Sequence, residues 1–545
     1  MHAIDLYERI AGTYRDPRAA AAEILCDRHD PEAVAYSIAD SDVVIAVTYD
    51  QLRRDSIRLA HAMRAAGVGP GSRVATLLRK GPELVTIMIA TWRIGAVYVP
   101  LFTAFATPAI EFRLRAADVS LVFTDPAQRD KLPTDESDPW QIVVVGKPSG
   151  VVDRDRSYAQ FIEGGSGTED VPAYQQGPDG EFVHIFTSGT TGQPKGVIHP
   201  FRHAAGWQSY LEYGLGVTTE DTYWCAADPG WAYGLYSAII APLAAGTGTI
   251  LQVGSFDPRS AWSLIEQLGV TNFTAAPTVY RAIRSAYPDL HNTTRLRRLS
   301  SCGEPLTPEV NAWALSELDQ LVHDDYGQTE VGMILSNPHH PDLAKPVVAG
   351  SMGYPLPGWA ATILAEDRDE QVALGEVGRV AIDIESSPAM TFTDYQDPSR
   401  SASRFSSDGH YYILGDLGSL DRSGAFRFSA RDDDVIIMAG YRIGPFEIES
   451  VLSKHPSVAE SAAVAAPDAE RGEVLEAFIV LRPGEIESAR LAADIQGFVK
   501  QNYAAHAYPR QIHFVADLPK TPSGKIQRAV LRQRRRDELA SGAVE

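Results

Sequence analysis

The stretch T-S-G-T-T-G-Q-P-K-G, residues Thr187–Gly196, is the part of the sequence from which the fold is best predicted. Its ten residues include three glycines, four hydroxyl side chains and one lysine, Lys195. The apolar run Phe182–Phe186 directly before it predicts a β-strand. Because glycine permits tight turns and close approach of backbone N–H groups to an anion, we expect a phosphate-binding loop after this strand. Lys195 would add a positive charge for the outer phosphates.

The spacing of this loop differs from that of the Walker loop, in which G-x-x-x-x-G-K-[ST] leads directly into a helix. A surface turn rich in glycine and threonine is the ordinary alternative for such a decamer. The density of hydroxyl groups, the lysine and the preceding strand favour a nucleotide-binding loop.

The overall composition is that of a globular protein with an acidic balance. A length of 545 residues predicts at least two domains. Hydrophobic residues make up 44% of the chain and charged residues 22%, which is ordinary for a globular protein. The formal net charge of −21 argues against a nucleic-acid-binding protein, which needs a basic surface. A bound polyphosphate would depend on lysines and arginines inside motifs.

Neither the cysteines nor the apolar runs indicate secretion or membrane insertion. Cys26, Cys225 and Cys302 are too few and too scattered for a disulfide framework or a cysteine zinc site. The apolar run Ser237–Val253 is interrupted by proline and glycine, which predicts a buried helix, a turn and a strand. The first residues lack the apolar core of a signal peptide, so we expect a cytoplasmic protein.

The pattern of apolar residues predicts an α/β protein. Strand-like runs alternate with helical segments from Arg73 to Thr124, and again from about residue 200 to 335, which predicts βαβ units and parallel sheets. Before them, Val43–Thr48 predicts a strand, followed by a helix through Ala66 with Asp50 as its N-cap.

The chain after residue 335 predicts two further units. Short strands broken by glycine and proline over about 340–430 predict a small β-barrel-like subdomain. A compact α+β unit follows, with helices predicted at 446–454 and 488–503. We therefore predict a large N-terminal domain, 1–432, of two α/β subdomains plus the β subdomain, and a mobile C-terminal lid domain, 433–545.

Further motifs follow the loop in a fixed order. They are S-C-G-E-P at 301–305, D-Y-G-Q-T-E at 325–330, Y-I-L-G-D at 412–416, R-D-D-D-V-I at 431–436, G-Y-R-I-G-P at 440–445 and P-K-T-P-S-G-K-I-Q-R at 519–528. Together with the loop they resemble the full motif set of the adenylate-forming (ANL) superfamily, and the resemblance covers nearly the whole chain. A-D-P-G-W at 227–231, E-R-G-E-V at 470–474 and Y-P-R at 508–510 look most similar to medium-chain acyl-CoA synthetases.

The resemblance implies an ATP site, and the chemistry of each motif agrees with it. A carboxylate reacts with a thiol only after one of its oxygens becomes a leaving group, which ATP supplies by forming an acyl adenylate. The implied nucleotide-binding residues are Thr187, Ser188, Gly189, Thr190 and Thr191 in the loop, Gly303, Glu304 and Pro305 at the adenine face, Asp325, Tyr326, Gly327 and Gln328 near the adenine edge, Asp416 at the ribose and Arg431 at the ribose or α-phosphate.

Four residues are predicted to carry the reaction. Lys195 contacts the outer phosphates, while Glu330 holds a mostly hydrated Mg²⁺ with the Thr329 hydroxyl beside it. The resemblance implies that Lys525, in P-S-G-K, bridges the substrate carboxylate and the α-phosphate, where its charge meets the negative charge of the transition state.

A second set of residues is implied for thioester formation by coenzyme A. The resemblance implies that the C-terminal domain rotates after adenylation, with Asp433 as the hinge. Gly440 would let the pantetheine pass close to the backbone beside Tyr441, while Arg442 and Arg471 are candidates for the CoA phosphates. Ordinary salt bridges are an equal alternative for the two arginines.

The acyl pocket is predicted from residues of several motifs, namely Trp231, Tyr233, Gly234, Thr278, Cys302, Gly327, Val331, Gly332 and Met333. Acetyl-CoA synthetases resemble this chain but have a tryptophan at the position of Gly327, so we expect acetate to be a poor substrate. Trp231 stands where amino-acid adenylation domains have an aspartate for the substrate ammonium. A neutral medium-chain, bulky or aromatic carboxylate is favoured, and chain and ring both stay open.

We therefore predict an ATP- and Mg²⁺-dependent carboxylic acid:CoA ligase. One alternative is an adenylate-forming enzyme that transfers the acyl group to a carrier protein or another acceptor. A catalytically silent nucleotide-binding protein is the other, and the intact lysine and carboxylate motifs argue against it. The expected partners are a small carboxylate, ATP and CoA, with a carrier protein and a homodimer left open, and without nucleic acid or membrane insertion.

Overall fold

The structure is a computed structural model that describes most of the chain. It describes residues 3–40, 43–133, 138–146, 155–165, 167, 170–187, 194–254, 256–287, 290, 294–348, 350–431, 434, 436–438, 441–468, 472–502, 507–521 and 525–540. The α-helices of these residues are, in chain order, α1 Ala3–Tyr14, α2 Tyr49–Ala65, α3 Pro82–Arg93, α4 Thr107–Ala116, α5 Tyr158–Glu163, α6 His203–Ser209, α7 Ala232–Leu235, α8 Ala241–Ala245, α9 Pro258–Leu268, α10 Pro277–Ala286, α11 Pro308–Leu318, α12 Pro445–Leu452, α13 Ala489–Asn502 and α14 Arg528–Ala540.

The strands form three sheets. In chain order they are β1 Val34–Asp40, β2 Val43–Thr48, β3 Arg73–Leu77, β4 Val97–Pro100, β5 Val119–Thr124, β6 Gln141–Val144, β7 Arg156–Ser157, β8 Glu181–Thr187, β9 Lys195–Pro200, β10 Tyr223–Cys225, β11 Thr249–Gln252, β12 Asn272–Ala275, β13 Arg298–Cys302, β14 Val322–Gln328, β15 Gly332–Ser336, β16 Ser351–Pro355, β17 Ala361–Leu364, β18 Val377–Asp383, β19 Tyr411–Leu420, β20 Phe426–Arg431, β21 Ile436–Met438, β22 Tyr441–Ile443, β23 Val458–Asp468, β24 Gly472–Leu481 and β25 Gln511–Phe514.

The first sheet and the central part of the second sheet are parallel, as the alternation of strands and helices predicts. The first has the order β7-β6-β5-β3-β4-β8-β9 and is parallel except for the β8–β9 pair. The second runs β2-β1-β11-β10-β12-β13-β14-β15 and is parallel from β1 to β14. Parallel neighbours need crossover connections, which the helices supply.

The predicted β subdomain extends the second sheet. Strands β16 to β20 pair antiparallel in the order β16-β20-β19-β18-β17, and β16 pairs with β15. The antiparallel strands therefore continue the same sheet beyond β15, which places the ends of β14, β19 and β20 close together.

Alternate residues of the central strands face different cores, which defines the layers. In β3, Val74 faces the core between the two sheets and Ala75 faces an outer core under α4. In β10, Tyr223 faces the core between the two sheets, and Trp224 faces a second outer core under α9, α10 and α11. Helices α2, α3, α6 and α8 fill the space between the sheets. The N-terminal domain is thus built of helix and sheet layers in alternation.

The C-terminal domain is a separate α+β unit, as predicted. Its strands have the order β22-β21-β24-β23, and β25 runs parallel to β24. Helices α12 and α13 pack on one face of this sheet and α14 on the other. In the described part of the chain, none of the helices is both long and apolar enough to span a bilayer.

The predicted N-cap of the second helix is wrong by two residues. Helix α2 begins at Tyr49, and the Thr48 hydroxyl accepts a hydrogen bond from the Gln51 backbone N–H at 3.3 Å. Thr48 has extended backbone angles, which an N-cap residue requires. Asp50 lies instead in the first turn, where a carboxylate stabilises the helix through its dipole.

The contact between β15 and β16 depends on Gly353. Its φ is +90°, and a Cβ atom there would lie 2.1 Å from the carbonyl group of Ser336 in β15. Gly424 has a similar φ of +83° but open space around it. Gly424→Ala should lower the free energy of unfolding by about 1–2 kcal/mol, the cost of left-handed backbone alone. Gly353→Ala should lower it by a further ~1–3 kcal/mol because the strands must separate.

Urea denaturation of the two variants beside the parent protein measures this difference. Equal destabilisation by the two substitutions would contradict the close approach of β15 and β16 as the reason for Gly353.

Candidate active site

The predicted phosphate loop joins two antiparallel strands. In the β8–β9 pair, Thr187 lies opposite Lys195, so the intervening residues form the connection of a hairpin. The predicted loop residues Ser188, Gly189, Thr190 and Thr191 lie outside the described residues. Lys195 leaves the loop at the start of a strand, which separates this site from the Walker arrangement of a loop before a helix.

Glu330, the predicted metal ligand, lies beside Lys195 through a shared tyrosine. The Tyr395 hydroxyl donates to Glu330 Oε1 at 2.7 Å, and both side chains are buried. Lys195 Nζ lies 4.7 Å from the centre of the Tyr395 ring, a distance at which a cation is attracted to the ring face. The structure therefore brings together the lysine and the carboxylate that the sequence placed 135 positions apart.

The residues around Glu330 are compatible with Mg²⁺. Among the described residues, no three or more His, Cys, Asp or Glu side chains come together as a metal-binding group. Mg²⁺ is often held by one or two carboxylates and substrate phosphates, with waters completing its shell. Glu330 Oε2 accepts no hydrogen bond from the described side chains and is the candidate ligand atom for a cation.

Thr329 is held by a neutral histidine. The carbonyl oxygen of Thr329 can only accept, so His199 donates to it from Nε2 at 2.8 Å and accepts from the Tyr236 hydroxyl at Nδ1, also at 2.8 Å. Burial lowers the pKa of His199 to about 4. His203 stacks on His199 with ring centres 4.0 Å apart, and burial lowers its pKa as well. A neutral imidazole pair therefore fixes the backbone next to Glu330.

The predicted ribose carboxylate, Asp416, is buried and well supplied with donors. Tyr326 donates its hydroxyl to Asp416 Oδ2, and Gln328 Nε2 donates to the same oxygen at 2.8 Å. Arg431, opposite Asp416 in the β19–β20 pair, lies 3.9 Å from Oδ1. Burial raises the pKa of Asp416, and the Arg431 charge opposes that rise. Asp416 and its three neighbours, all predicted nucleotide-binding residues, thus form one cluster: Tyr326, Gln328 and Arg431.

At the predicted adenine edge, two neighbouring aspartates differ in their hydrogen bonding. Asp325 accepts from the Tyr210 hydroxyl at 2.7 Å and from the Asn337 backbone N–H at 3.3 Å. Asp324, which the sequence analysis did not single out, has its buried Oδ1 without a partner among the described residues. Its Oδ2 accepts from the Leu306 N–H at 3.3 Å. The acceptor still available at this edge belongs to Asp324.

Glu304 connects the predicted adenine-binding turn to helix α10. Its Oε1 accepts from the Thr278 backbone N–H at 3.0 Å and from the Thr278 hydroxyl. Arg281 Nη2 donates to both carboxylate oxygens at 3.1 Å. Thr278, predicted in the acyl pocket, therefore has its hydroxyl engaged with the turn Gly303–Pro305. Because the Glu304 side chain is held by α10, the backbone of the turn Gly303–Pro305 is the part that a flat ligand face could contact.

Lys525 reaches this turn from the C-terminal domain. A Cβ atom at Gly303 would lie 3.8 Å from Lys525 Cε, and the lysine is exposed. The backbone N–H of Lys525 donates a hydrogen bond to the Thr521 hydroxyl at 3.0 Å, which fixes the lysine backbone relative to Thr521. Between the domains, the Ser453 hydroxyl donates to Glu309 Oε2 at 3.0 Å. The predicted catalytic lysine thus faces the predicted nucleotide site.

The predicted acyl pocket includes an aromatic cluster that the sequence revealed only in part. Trp231 lies 5.1 Å from Phe102 and 5.4 Å from Phe105 between ring centres. Tyr233 accepts from or donates to the Tyr210 hydroxyl at 3.0 Å, so its polar end faces the protein. At Gly234 a Cβ atom would lie 2.1 Å from the Asp228 carbonyl oxygen, so this glycine serves close backbone packing.

The space beside Gly327 is filled, contrary to the expectation that this glycine leaves room for substrate. A Cβ atom there would lie 2.3 Å from the Gly332 carbonyl oxygen and 2.8 Å from Met333 Sδ. Cys302 Sγ lies 3.7 Å from the same sulfur. The close pairing of β14 with β15 requires glycine at 327, and Met333 occupies the volume that a larger side chain would take.

The predicted CoA and hinge residues are described only in part. Gly440, Arg471 and the predicted hinge Asp433 lie outside the described residues. Tyr441 and Arg442 lie in β22, which pairs antiparallel with β21.

Several residues that contact the predicted site residues were not predicted from the sequence, some of them in spite of a local signal. Asp324 was visible as the first aspartate of D-D-Y-G, and Phe102 and Phe105 as the aromatic pair in L-F-T-A-F after a strand. Tyr395 and His199 stand outside the motifs, so only the fold shows that they contact Glu330 and Thr329.

Comparison with known proteins identifies the family of the chain. The family model described as AMP-binding enzyme matches residues 26–387, and that of the AMP-binding enzyme C-terminal domain matches residues 447–525. The acetyl-coenzyme A synthetase of Bacillus subtilis (strain 168) is 38% identical over 493 residues, covering 89% of this chain and 84% of that protein.

Two solved structures share the fold over almost all of the chain. The acyl-CoA synthetase of Brucella canis is 40% identical with a TM-score of 0.75, covering 98% of this chain and 97% of that one. The anthranilate CoA ligase AuaEII, solved with anthranoyl-AMP, is 26% identical with a TM-score of 0.85, covering 99% and 100%.

The chain belongs to the AMP-binding enzyme family, the ANL superfamily, and within it to the acyl-CoA synthetases, which are AMP-forming acid–thiol ligases.

The burial of Asp325 predicts a pH-dependent stability. Burial raises its pKa from 3.8 to about 7. Between these two pH values the carboxyl group is therefore protonated in the folded protein and ionised in the unfolded chain. Unfolding then releases a proton between these pH values, and the free energy of unfolding falls as pH rises through them. Asp325→Asn should remove this slope and gain stability relative to the parent by on the order of a few kcal/mol between pH 4 and pH 7.

Denaturation midpoints of the parent and the variant at several pH values test this expectation. Asp367→Asn, at an exposed position, is the control and should follow the parent. A constant difference between Asp325→Asn and the parent across the range would contradict the raised pKa.

Proposed function

We propose that this enzyme converts a neutral medium-chain, bulky or aromatic carboxylate and ATP into an acyl adenylate, and then into the acyl-CoA thioester. The observation that carries this proposal is the position of Lys525 against Gly303. A lysine that comes from the C-terminal domain and faces the nucleotide turn supplies positive charge where a carboxylate meets the α-phosphate.

In the first step a carboxylate oxygen attacks the α-phosphorus. The new carbon–oxygen–phosphorus linkage forms as the bond to pyrophosphate breaks, so two anions must be held in line. Lys195 neutralises the departing pyrophosphate and Lys525 the attacking carboxylate. Glu330 and Thr329 are the residues proposed to hold Mg²⁺, which supplies further neutralisation of phosphate charge when bound.

In the second step the thiol of CoA attacks the carbonyl carbon, and AMP leaves. The thiol must reach the carbonyl from the side that pyrophosphate vacated, which we assign to rotation of the C-terminal domain about Asp433. The next residue supports this pivot, because Asp434 forms ion pairs with Arg532 and, at 3.6 Å, with Arg528 of α14. Asp434 is therefore anchored in the C-terminal domain.

The aromatic cluster supports a neutral apolar acyl group. Phe102, Phe105 and Trp231 pack together as an aromatic surface, which suits a ring or an alkyl chain. The anthranoyl-AMP held by the solved anthranilate CoA ligase is an aromatic adenylate, which supports the aryl alternative. Acetate stays the less favoured acid, although Met333 limits the pocket beside Gly327.

Lys525→Ala should separate the two half-reactions. Adenylate formation, measured as carboxylate-dependent ATP–pyrophosphate exchange, should fall by about 100-fold or more because the charge on the attacking group is lost. Thioester formation from a preformed acyl adenylate should stay near the parent rate. Asp433→Pro is the matched variant and should show the opposite pattern, since it stiffens the proposed hinge.

The parent enzyme is first assayed with acids from acetate to palmitate and with aromatic acids, each with and without CoA. Exchange together with CoA thioester supports the proposal and identifies chain or ring. Exchange without thioester for every acid would move the conclusion to a carrier protein or another acceptor. Equal loss of both half-reactions in Lys525→Ala would contradict the role of the lysine.

Met333→Ala should widen the acyl pocket. Removing the side chain next to Gly327 leaves room for additional substrate carbons, so the ratio of kcat/KM for a longer acid to that for a shorter one should rise by about tenfold. Ratios measured within one variant are independent of the fraction of active enzyme. Ile334→Ala, on the opposite face of β15, creates a similar cavity away from Gly327 and serves as the control. An unchanged ratio in Met333→Ala would place the acyl group elsewhere.

A further inference from the structure

Tyr395 contacts both charged groups of the proposed phosphate and metal site, yet it belongs to none of the sequence motifs. Its hydroxyl donates to Glu330 Oε1 at 2.7 Å, and its ring lies 4.7 Å from Lys195 Nζ. The side chain is only 2% exposed, so its orientation is fixed by packing. A single residue thus sets the relative positions of a carboxylate and an ammonium group that must act on the same phosphates.

The backbone around Tyr395 is tied to the phosphate hairpin. The backbone N–H of Tyr395 donates to the Ser401 hydroxyl at 2.9 Å. The next N–H, of Gln396, donates to the Gly196 carbonyl oxygen at 2.8 Å. Because Gly196 directly follows Lys195, the position of the Tyr395 ring relative to the lysine is set by backbone hydrogen bonds and not by flexible side chains.

Tyr395 is also joined to the proposed ribose site. The charge of Arg404 acts on its hydroxyl, and Arg404 Nη1 donates to the Leu414 carbonyl oxygen at 2.9 Å. Gln328 Nε2 donates to that same oxygen at 2.7 Å and to Asp416 Oδ2 at 2.8 Å. Gln328 and Arg404 therefore share one acceptor, which connects the surroundings of Tyr395 to Asp416.

The donor on Glu330 has a direct consequence for metal binding. A phenol that occupies Oε1 leaves Oε2 as the acceptor for a cation, which favours contact through one oxygen. Hydrogen bonds to a ligating carboxylate hold its orientation, and their loss commonly costs about 10–100-fold in metal affinity. The same ring keeps Lys195 on the side of Glu330 where the phosphates would lie.

We propose that Tyr395 is a positioning residue for nucleotide-bound Mg²⁺: it orients Glu330 toward the metal and aligns Lys195 with it. This role rests on the proposed function, because it assigns Glu330 to the metal and Lys195 to the phosphates. Tyr395 itself touches neither the reacting carboxylate nor the α-phosphate.

The test removes the hydroxyl and keeps the ring. In Tyr395→Phe, the affinity for Mn²⁺ in the presence of α,β-methylene-ATP, measured by electron paramagnetic resonance of free Mn²⁺, should fall by about 10–100-fold. Neither a carboxylic acid nor CoA is present, so the result is independent of the acid. Tyr36→Phe removes a buried hydroxyl that donates to the Pro82 carbonyl oxygen at 3.0 Å, far along the chain, and should bind Mn²⁺ like the parent.

A double-mutant comparison distinguishes positioning from a general loss of structure. In a Glu330→Gln background, Tyr395→Phe should cause no further loss of Mn²⁺ affinity, because the carboxylate that it orients is gone. Parent-like Mn²⁺ affinity in Tyr395→Phe, or a full additional loss in the double variant, would overturn the proposal. A parent protein that fails to bind Mn²⁺ with the nucleotide analogue would instead contradict the proposed function.

Discussion

The burial of two carboxylates, Glu330 and Asp416, is the constraint on which the rest of the site depends. An ionised carboxylate inside a protein is costly unless hydrogen-bond donors or cations surround it. Each carboxylate has its own phenol donor, Tyr395 for Glu330 and Tyr326 for Asp416. Arg431 lies 3.9 Å from Asp416 Oδ1 and is the cation paired with it. The carboxylates therefore keep capacity for a cation or for ribose hydroxyls.

The continuity of the second sheet brings those donors together. Glu330 and Tyr326 belong to the region of β14 and β15, whereas Asp416 and Arg431 come from β19 and β20. Because β15 pairs with β16 and β16 with β20, the antiparallel strands deliver their side chains to the ends of the parallel ones. Ligands of open α/β sheets bind near the carboxyl ends of the strands, which is where this junction lies.

Much of the site was predictable because the chemistry is carried by short motifs. Lys195, Glu330, Asp416 and Lys525 each lie in a local pattern of glycine, hydroxyl or charged residues, and the structure groups them around one region. Sequence reasoning failed where a residue acts through packing. Gly327 looked like an opening in the pocket, but the close approach of β15 fills the space with Met333. Tyr395 is an ordinary tyrosine in sequence and acquires its role only from its neighbours.

The sequence by itself determined the order of strands and helices, the two-domain division and the identity of the charged groups, because periodicity, glycine spacing and charge are local properties. The tertiary structure alone decided which acceptors remain open and where the pocket ends. Asp325 accepts hydrogen bonds from Tyr210 and Asn337, whereas one oxygen of the adjacent Asp324 has no hydrogen-bond partner among the described residues. Met333 fills the space beside Gly327. Hydrogen-bond capacity and volume are shared among residues distant in the chain, so they are settled only when the chain is folded.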